Sequence, residues 1–344
     1  MSPLIGDCYS MTLPQKSHLP LVVFGASGML ASQLVFLAEV DEWPSQIILH
    51  GSTMSRLQGV AEEMLDAGLT IPLVLVTDFE EAISYGGNVL YATSVQSRAQ
   101  TREAMLLQNA PTASRVGKLM SKYKPLIKRV VCVSNPSDLI GLTLLVNSGL
   151  PASDVMSLSA LDTIRYRKNL SRYLDIPVEQ IRNAWTLGSH DQSMAVMRDI
   201  VEINGMPLVD VLQQKNIAFE QIAKDVVFGG AQIIKLRGHT AYQSPAWLCY
   251  QMLRATDARA FTLPTARYIN TPQCPHSYLS LPAVVGSGGC QHWGVRLSEW
   301  DRAAFNRSYS SVKGQMETLI KEGILPPITK WPEELREPQQ ELIY

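Results

Sequence analysis

The chain has 344 residues, of which 46% are hydrophobic and 18% are charged, and its net charge at pH 7 is −1. This near-neutral charge excludes a broad nucleic-acid-binding surface, which needs a basic excess, and no apolar run reaches the roughly 18–20 residues that span a bilayer. Residues 1–18 lack the basic start and the apolar core of a secretory signal, so we expect a short polar extension before the first strand.

The first 150 residues alternate short apolar runs with helical patterns. Strands that are apolar on both faces and separated by helices are typical of a parallel sheet with helices on each side. We therefore predict a doubly wound α/β domain over residues 19–150, with right-handed crossovers. In chain order, the predicted strands are 19–25, 46–50, 72–77, 88–93 and 129–134, and the predicted helices are 29–40, 54–66 and 101–123.

Helical patterns dominate the rest of the chain, with shorter strand-like pieces between them. This change predicts a second, α+β domain over residues 151–344. The absence of a low-complexity linker favours tight packing of the two domains, with a cleft between them. The predicted helices are 160–175, 206–214, 216–236, 242–255 and 298–322, and the predicted strands are 182–187, 259–269 and 281–296.

The segment VVFGASGMLAS has the features of a dinucleotide-binding loop. It places Gly25, Gly28 and Ala31 directly after a strand and at the start of a helix. The first glycine permits a tight turn, the second lets the backbone approach a pyrophosphate, and the small alanine lets helix and strand pack closely. Free N–H groups at the helix N-terminus would bind the phosphates. The alternative is a tight strand–helix turn that binds nothing.

Three further segments carry polar side chains suited to chemistry. CVSNPSD places Asn135 at the carboxyl end of a strand, where open α/β sheets bind ligands, although Asn135 could also be a helix N-cap. ALDTIRYRKNL puts Asp162 and Arg165 on one helix face, which could equally be a surface salt bridge. TLGSHDQS presents His190 from a turn, and a histidine alone there could be incidental.

In this order and spacing, GASGMLA, SNPSD, LDTIRYR and GSHDQS resemble the lactate/malate dehydrogenase family, and the resemblance covers residues 19–325. It implies a Rossmann domain followed by a substrate domain. It also implies reversible hydride transfer between C2 of a 2-hydroxy acid and a nicotinamide cofactor, in a homodimer or homotetramer.

The resemblance also implies roles for the four polar residues. His190 would be the acid/base that exchanges a proton with the substrate hydroxyl. Asp162 would bind the other ring nitrogen and so fix the tautomer. Arg165 would bind the C1 carboxylate in a bidentate manner, and Asn135 would position the substrate beside the nicotinamide.

A mobile loop of the family matches residues 92–109. Arg102 lies just before a helical run and would polarise the C2 carbonyl; a cation at that end of a helix opposes the helix dipole, which favours a functional role. Either Gln96 or Arg98 could occupy the position that selects the substrate. We expect Arg98, and hence malate/oxaloacetate, because a buried second carboxylate needs a cation. Gln96 would instead select another 2-oxo acid, as in lactate-type members.

The second strand ends in QIILHGSTMSR rather than in the acid that NAD-binding proteins place there. An acid binds the adenosine ribose and repels a 2′-phosphate. Gly51 removes that repulsion, Ser52 can donate a hydrogen bond, and Arg56 could pair with phosphate. The segment partly resembles the corresponding one of NADP-dependent malate dehydrogenases. We therefore favour NADP over NAD.

Two departures from the family pattern leave a non-enzymatic alternative open. Asp191 and Gln192 follow His190 where a glycine and then an acid are usual, and Thr93 begins the mobile loop where glycines are usual. A dinucleotide-binding paralogue with little catalysis would tolerate such changes. The joint presence of Asp162, Arg165, His190 and Arg102 favours an active malate dehydrogenase.

The five cysteines are too scattered for a disulfide framework or a zinc site. They form no CxxC pair, and Cys132 lies inside an apolar strand, where a thiol packs as a small core residue. The histidines likewise show no metal-ligand spacing. We expect no metal and a reducing, cytoplasmic environment.

Overall fold

The computed structural model describes residues 18–94 and 101–343. Its N-terminal half alternates strands and helices as predicted. In chain order it contains β1 (Leu21–Phe24), α1 (Met29–Val40), β2 (Ile47–His50), α2 (Met54–Asp66), β3 (Leu73–Val76), α3 (Phe79–Ser84), β4 (Gly87–Tyr91), α4 (Arg102–Lys122), β5 (Ile127–Cys132), α5 (Ser137–Ser148) and β6 (Val155–Ser157).

The second half is richer in helices and contains shorter strands. Its first part comprises α6 (Ala160–Leu174), β7 (Ile181–Arg182), β8 (Thr186–Leu187), β9 (Ala195–Val196), β10 (Glu202–Ile203), β11 (Met206–Pro207), α7 (Leu208–Lys215), α8 (Phe219–Val227), α9 (Gly229–Arg237) and α10 (Gln243–Leu253). It ends with β12 (Thr265–Ile269), β13 (Ser277–Leu281), β14 (Ala283–Gly286), β15 (Gly289–His292), α11 (Glu299–Lys321) and α12 (Glu333–Arg336).

One eight-stranded sheet forms the centre of the fold, in the order β13-β12-β6-β5-β4-β1-β2-β3. The six strands from β6 to β3 are parallel, whereas β12 pairs antiparallel with both β6 and β13. The central strands β1 and β2 are buried on both faces, as their unbroken apolar sequences predict. The predicted doubly wound α/β fold is confirmed. The sheet itself continues past residue 150, where the sequence predicts a domain boundary.

Several predicted elements differ from the observed ones. The helix predicted over 216–236 is two helices, α8 and α9, which meet at Phe228. Of the long strand predicted over 259–269, only the part in β12, Thr265–Ile269, is a strand. Strand β5 ends at Cys132 and α5 begins at Ser137 with Pro136 at the N-cap. The alternative role of Asn135 as a helix N-cap was therefore wrong.

The parallel strands bring several predicted residues to one edge of the sheet. Gly25 follows β1, Thr93 follows β4, and Asn135 follows β5, and these three strands are neighbours in the order β5-β4-β1. The carboxyl ends of parallel strands form the crevice in which open α/β sheets bind ligands. Within the described residues, no helix is both long and apolar enough to cross a membrane.

Candidate active site

His190 and Asp162 form a hydrogen-bonded pair at the junction of the two halves. Nδ1 of His190 lies 2.5 Å from Oδ2 of Asp162, and the other carboxylate oxygen accepts a hydrogen bond of 2.9 Å from Nη1 of Arg165. Asp162 is only 2% exposed, whereas 19% of the His190 side chain is exposed. The structure therefore brings together three of the predicted site residues, with the histidine ring at the open side.

Local structure explains how these residues meet. Asp162 lies in the first turn of α6, where the helix dipole favours a carboxylate. The side chain of Thr163, the next residue, accepts a hydrogen bond of 3.0 Å from the backbone of Thr186 in β8. The chain then turns at Gly188, which has a φ of +84° and no room for a Cβ beside Ser308. The turn after β8 thus presents His190 to the N-terminus of α6.

Opposing effects set the proton affinities of the pair. Burial acts to lower the pKa of His190, but the carboxylates of Asp162 and Asp138 outweigh it and raise that pKa above its ordinary value. Burial acts to raise the pKa of Asp162, but His190 and Arg165 outweigh it and lower that pKa. The pair therefore favours a charged carboxylate and a basic imidazole, the combination that an acid/base catalyst needs.

Asp138 is a site residue to which sequence reasoning gave no role. It is 3% exposed, and its Oδ2 accepts a hydrogen bond of 2.7 Å from the backbone N–H of His190. Its other oxygen is buried without a hydrogen-bond partner. Burial raises the pKa of Asp138, although His190 and Arg102 act to lower it. The SNPSD motif includes this residue, but only the tertiary structure reveals that it anchors the turn that carries His190.

Arg102 reaches the same turn from the first residue of α4. Its Nη2 donates a hydrogen bond of 2.6 Å to the carbonyl of His190, and its Nη1 lies 3.4 Å from Oδ2 of Asp191. A second contact ties α4 to the strand end, because Nδ2 of Asn109 donates to the carbonyl of Asn135 at 2.8 Å. Asn135 itself is exposed at the edge of the sheet. The arginine expected to polarise the substrate carbonyl thus lies beside His190.

Arg165 retains a donor suited to an anion. Its side chain is 13% exposed and its Nε is buried without a hydrogen-bond partner. A Cβ on Gly229 would lie 3.3 Å from Cδ of Arg165, so the start of α9 packs closely against this side chain. The guanidinium of Arg165 is bonded to Asp162 on one edge, and its Nε has no partner among the described residues. Such a group is suited to binding a carboxylate ligand.

The predicted phosphate loop makes a tight turn before the N-terminus of α1. Gly25 has a φ of +79°, and a Cβ there would lie 2.8 Å from the carbonyl oxygen of Ala92. Gly28 is the N-cap of α1, which has neither a side-chain cap nor an acidic residue in its first turn, and Ala31 is buried. The free N–H groups therefore face no competing anion from their own helix.

The neighbouring strand end adds an unpartnered polar atom. Among the described residues, the buried Oγ1 of Thr93 has no hydrogen-bond partner. The carbonyl of Thr93 accepts a hydrogen bond of 2.6 Å from the hydroxyl of Ser134. A Cβ on Gly25 would lie 3.1 Å from the backbone nitrogen of Thr93. This orphaned hydroxyl beside the glycine loop fits a polar ligand such as a dinucleotide, and sequence reasoning noted Thr93 only as a departure from the family.

Gly25→Ala is expected to destabilise the fold by about 1–3 kcal/mol, because it forces an L-residue into a positive φ and against the Ala92 carbonyl. Gly314→Ala is the matched control, since a Cβ at that position in α11 meets nothing within 4 Å. That substitution should raise the free energy of unfolding by about 0.5–1 kcal/mol. Urea unfolding of both variants checks the pair, and equal stability would refute the strained turn.

The end of β2 is uncharged and tightly packed. A Cβ on Gly51 would lie 3.0 Å from a methyl group of Leu57, so glycine at this position also serves packing. The preceding His50 is buried, and burial lowers its pKa to about 4, which keeps it neutral at pH 7. Ser52 and Arg56 are exposed, and Arg56 lines a cavity of about 700 Å³ that also includes Ser27 of the phosphate loop.

Two predicted specificity residues, Gln96 and Arg98, lie outside the described residues. Among the residues that are described, no group of three or more His, Cys, Asp and Glu side chains could hold a metal ion. The candidate site therefore consists of the turn that carries His190, the N-termini of α4 and α6, and the predicted phosphate loop.

Comparison with known families agrees with this arrangement. Residues 159–322 match the model of the lactate/malate dehydrogenase alpha/beta C-terminal domain. The matched stretch of this chain includes Asp162, Arg165 and His190. This part of the chain therefore has the C-terminal domain of the lactate/malate dehydrogenase family. The resemblance drawn from the motifs is thereby confirmed at the level of the family.

Solved structures of the family have the same fold. Malate dehydrogenase from Plasmodium falciparum matches with a TM-score of 0.77 and 20% identity, over 88% of this chain and 99% of that one. Malate dehydrogenase from Cryptosporidium parvum matches with a TM-score of 0.74 and 24% identity, over 89% and 100%. Lactate dehydrogenase from the same organism matches with a TM-score of 0.74 and 20% identity, over 89% and 99%. The fold thus extends over nearly the full length of these proteins.

Proposed function

We propose that the protein is an NAD(P)-dependent malate dehydrogenase, which interconverts malate and oxaloacetate. The observation that carries the proposal is the pairing of His190 with Asp162 beside an arginine, Arg165, that has a buried, unpartnered donor. An acid/base and a carboxylate-binding cation beside one another are what a 2-hydroxy acid requires. Family membership supports this reaction class over a purely binding role.

Each residue of the site has a separate role in the proposed reaction. Arg165 binds the C1 carboxylate through its free edge and so orients C2. Nε2 of His190 accepts the hydroxyl proton in the direction of oxidation and returns it in the direction of reduction. Asp162 holds Nδ1 and stabilises the imidazolium, and Arg102 provides positive charge for the C2 oxygen. A bound nicotinamide supplies the hydride-accepting carbon.

The residues of the glycine loop would hold the cofactor. The backbone at Gly25 and Gly28 and the N-terminus of α1 would bind the pyrophosphate. Two of the similar structures are cofactor complexes, namely malate dehydrogenase from Plasmodium falciparum with NADH and lactate dehydrogenase from Cryptosporidium parvum with nicotinamide adenine dinucleotide.

For this chain we favour NADP over NAD. The support comes from the uncharged end of β2, where Gly51 replaces the usual acid and the buried His50 is neutral. Ser52 and Arg56 are exposed next to this strand end and could contact a 2′-phosphate. Arg56→Gln is then expected to weaken NADPH binding more than NADH binding.

The choice of malate rests on Arg98. A second carboxylate needs a cation, and Arg98 belongs to the segment that precedes Arg102 in the sequence. The alternative substrate is a 2-oxo acid without that carboxylate, selected through Gln96. Similar structures include both malate and lactate dehydrogenases, so both substrates deserve a direct comparison.

One kinetic experiment tests the function. The purified protein is given NADH or NADPH with oxaloacetate, pyruvate and longer 2-oxo acids, and cofactor oxidation is followed. We expect oxaloacetate to react fastest. Arg98→Gln should lower kcat/KM for oxaloacetate by roughly two to three orders of magnitude, because loss of a cation from a desolvated carboxylate costs about 2–5 kcal/mol. Arg307→Gln, an exposed substitution on α11, is the matched control.

Each outcome of this experiment separates one alternative. Faster turnover of pyruvate than of oxaloacetate would contradict the role of Arg98. A preference for NADH would contradict the role of Gly51 and Arg56 without affecting the rest. Absence of cofactor oxidation with every acid would favour the dinucleotide-binding paralogue over an enzyme.

We further propose that the protein forms a homodimer or homotetramer. Met29, Phe36 and Val40 are exposed apolar residues on α1, and Trp247 is exposed on α10, which packs against α1. Apolar side chains exposed together on adjoining helices favour association. Light scattering of the full chain measures the assembly.

A further inference from the structure

Asp191 directly follows the catalytic histidine and is the centre of a polar network. Its side chain is 11% exposed, although it lies beside the open part of the site. In the sequence pattern of the family this position is a glycine, which has no side chain. The carboxylate is therefore an addition of this chain to the catalytic turn, and its contacts indicate what it does.

The two carboxylate oxygens have different partners. Oδ1 accepts hydrogen bonds from the hydroxyl of Ser189 at 2.8 Å and from the backbone N–H and hydroxyl of Ser193, both at 2.6 Å. These contacts stay within the turn. Oδ2 faces outward to Nη1 of Arg102 at 3.4 Å, with Ser311 and Gln315 of α11 also at 3.4 Å.

Arg102 is held at two points of the same turn. While Nη1 faces Asp191, Nη2 donates to the carbonyl of His190 at 2.6 Å. Arg102 is also the first residue of α4, where the helix dipole disfavours a cation. The carboxylate of Asp191 offsets this unfavourable placement and neutralises the guanidinium at the catalytic histidine.

We propose that Asp191 is a positioning residue that holds Arg102 against the catalytic turn in the absence of substrate. Oδ1 shapes the turn, and Oδ2 acts through Arg102. The arginine is then in place before a substrate binds, so that binding need not order this long side chain. The effect on catalysis rests on the proposed function, whereas the placement of Arg102 does not.

Asp191→Asn separates the two roles. Asparagine retains one oxygen for the contacts within the turn and places an amide where Oδ2 faced Arg102, so the ion pair is lost. Nε2 of Gln315 now faces Oδ2, and rotation of this amide would bring Oε1, which has no partner among the described residues, to accept from the new amide. Asp199→Asn is the matched control, because it removes a comparable ion pair, with Arg198 at 2.7 Å, away from Arg102.

Limited trypsin digestion measures the placement without any assay of activity. Mass spectrometry follows cleavage of the Arg102–Glu103 bond, which requires Arg102 to leave the turn and enter the protease. We expect Asp191→Asn to speed this cleavage by roughly two- to fivefold, the range for loss of one partly exposed ion pair. Asp199→Asn should leave the rate unchanged. Equal rates in the wild type and Asp191→Asn would overturn the proposal.

A second variant, Arg102→Lys, tests the proposal if Asp191→Asn does not fold. Arg102→Lys keeps the charge and the trypsin site, but one ammonium cannot make both the bond to the His190 carbonyl and the contact with Asp191 in the same geometry. The rate of cleavage after residue 102 is divided by the rate for a free peptide of the same sequence. This normalised rate should be higher in Arg102→Lys than in the wild type. An unchanged normalised rate would refute the anchoring of Arg102.

If the protein reduces oxaloacetate, a double-mutant cycle adds a kinetic test. Asp191→Asn should lower kcat/KM in the wild type but have little further effect in Arg102→Gln, because the aspartate acts through the arginine. Equal losses in both backgrounds would contradict that route. Because the digestion is independent of turnover, an inactive protein would leave the anchoring of Arg102 fully testable.

Discussion

Replacing His190 with asparagine is expected to lower kcat by roughly 10²–10⁴-fold, the contribution of a positioned acid/base. The structure provides the reason, since this imidazole is partly exposed while its Nδ1 is bonded to Asp162 at 2.5 Å. Asparagine cannot exchange a proton near neutral pH. It is smaller than histidine and keeps a polar side chain in the turn.

Two controls make the His190 result specific. Cofactor binding, measured by fluorescence of the bound reduced nicotinamide, should persist because the glycine loop is untouched. His239→Asn changes a histidine that contacts the carbonyl of Thr240 and the ring of Tyr242, and it should leave kcat unchanged. Joint loss of turnover and cofactor binding in the His190 variant would mean that this residue is structural.

Asp162→Asn is expected to have a comparable effect, with kcat lower by roughly two to four orders of magnitude, because the catalytic histidine loses its orienting acceptor. Burial acts to lower the pKa of His190 and Asp162 is the strongest opposing influence. Without this carboxylate, burial should bring the pKa of His190 down. The same change deprives Arg165 of its ion-pair partner at 2.9 Å.

The pH profile distinguishes this effect from general damage. Reduction of an oxo acid needs protonated His190, so its rate falls as the pH rises through the pKa of that residue. Asp162→Asn should therefore shift this decline in the reduction rate to lower pH. Oxidation of the hydroxy acid needs neutral His190, so its rate should also begin to rise at lower pH. Asp225→Asn, which removes a carboxylate bonded to Tyr173, is the control. An unchanged pH midpoint in the Asp162 variant would contradict the electrostatic pairing.

The elements with strong local patterns were predictable from the sequence. The predicted helices 29–40 and 54–66 have the same bounds as α1 and α2. By contrast, α5 is buried along almost its whole length and so lacks an apolar stripe, and β6 has only three residues. The antiparallel addition of β12 and β13 to the sheet depends on long-range pairing, which the sequence pattern does not encode.

The candidate site was predictable where motifs carry it. Asp162 and Arg165 lie one helical turn apart, so their contact follows from helix geometry. The contacts of Asp138 and Asp191 depend on the fold, because each carboxylate binds groups that only the packed structure brings near. The sequence shows Asp191 only as a departure from the family pattern. Its partner Arg102 also bonds to the neighbouring residue His190, which is 88 residues away in the chain, so local sequence could not reveal the contact.

In the proposed reaction, hydride is transferred to C2 of a 2-oxo acid and His190 donates the proton. The measurement uses NADH and NADPH in which both hydrogens of the reactive nicotinamide carbon are deuterium, together with oxaloacetate, and the product is analysed by mass spectrometry. We predict malate with one deuterium at C2 from the wild type, and at least roughly 100-fold less of it in the same time from His190→Asn. Unlabelled product from the wild type, or no product with any 2-oxo acid, would contradict the account.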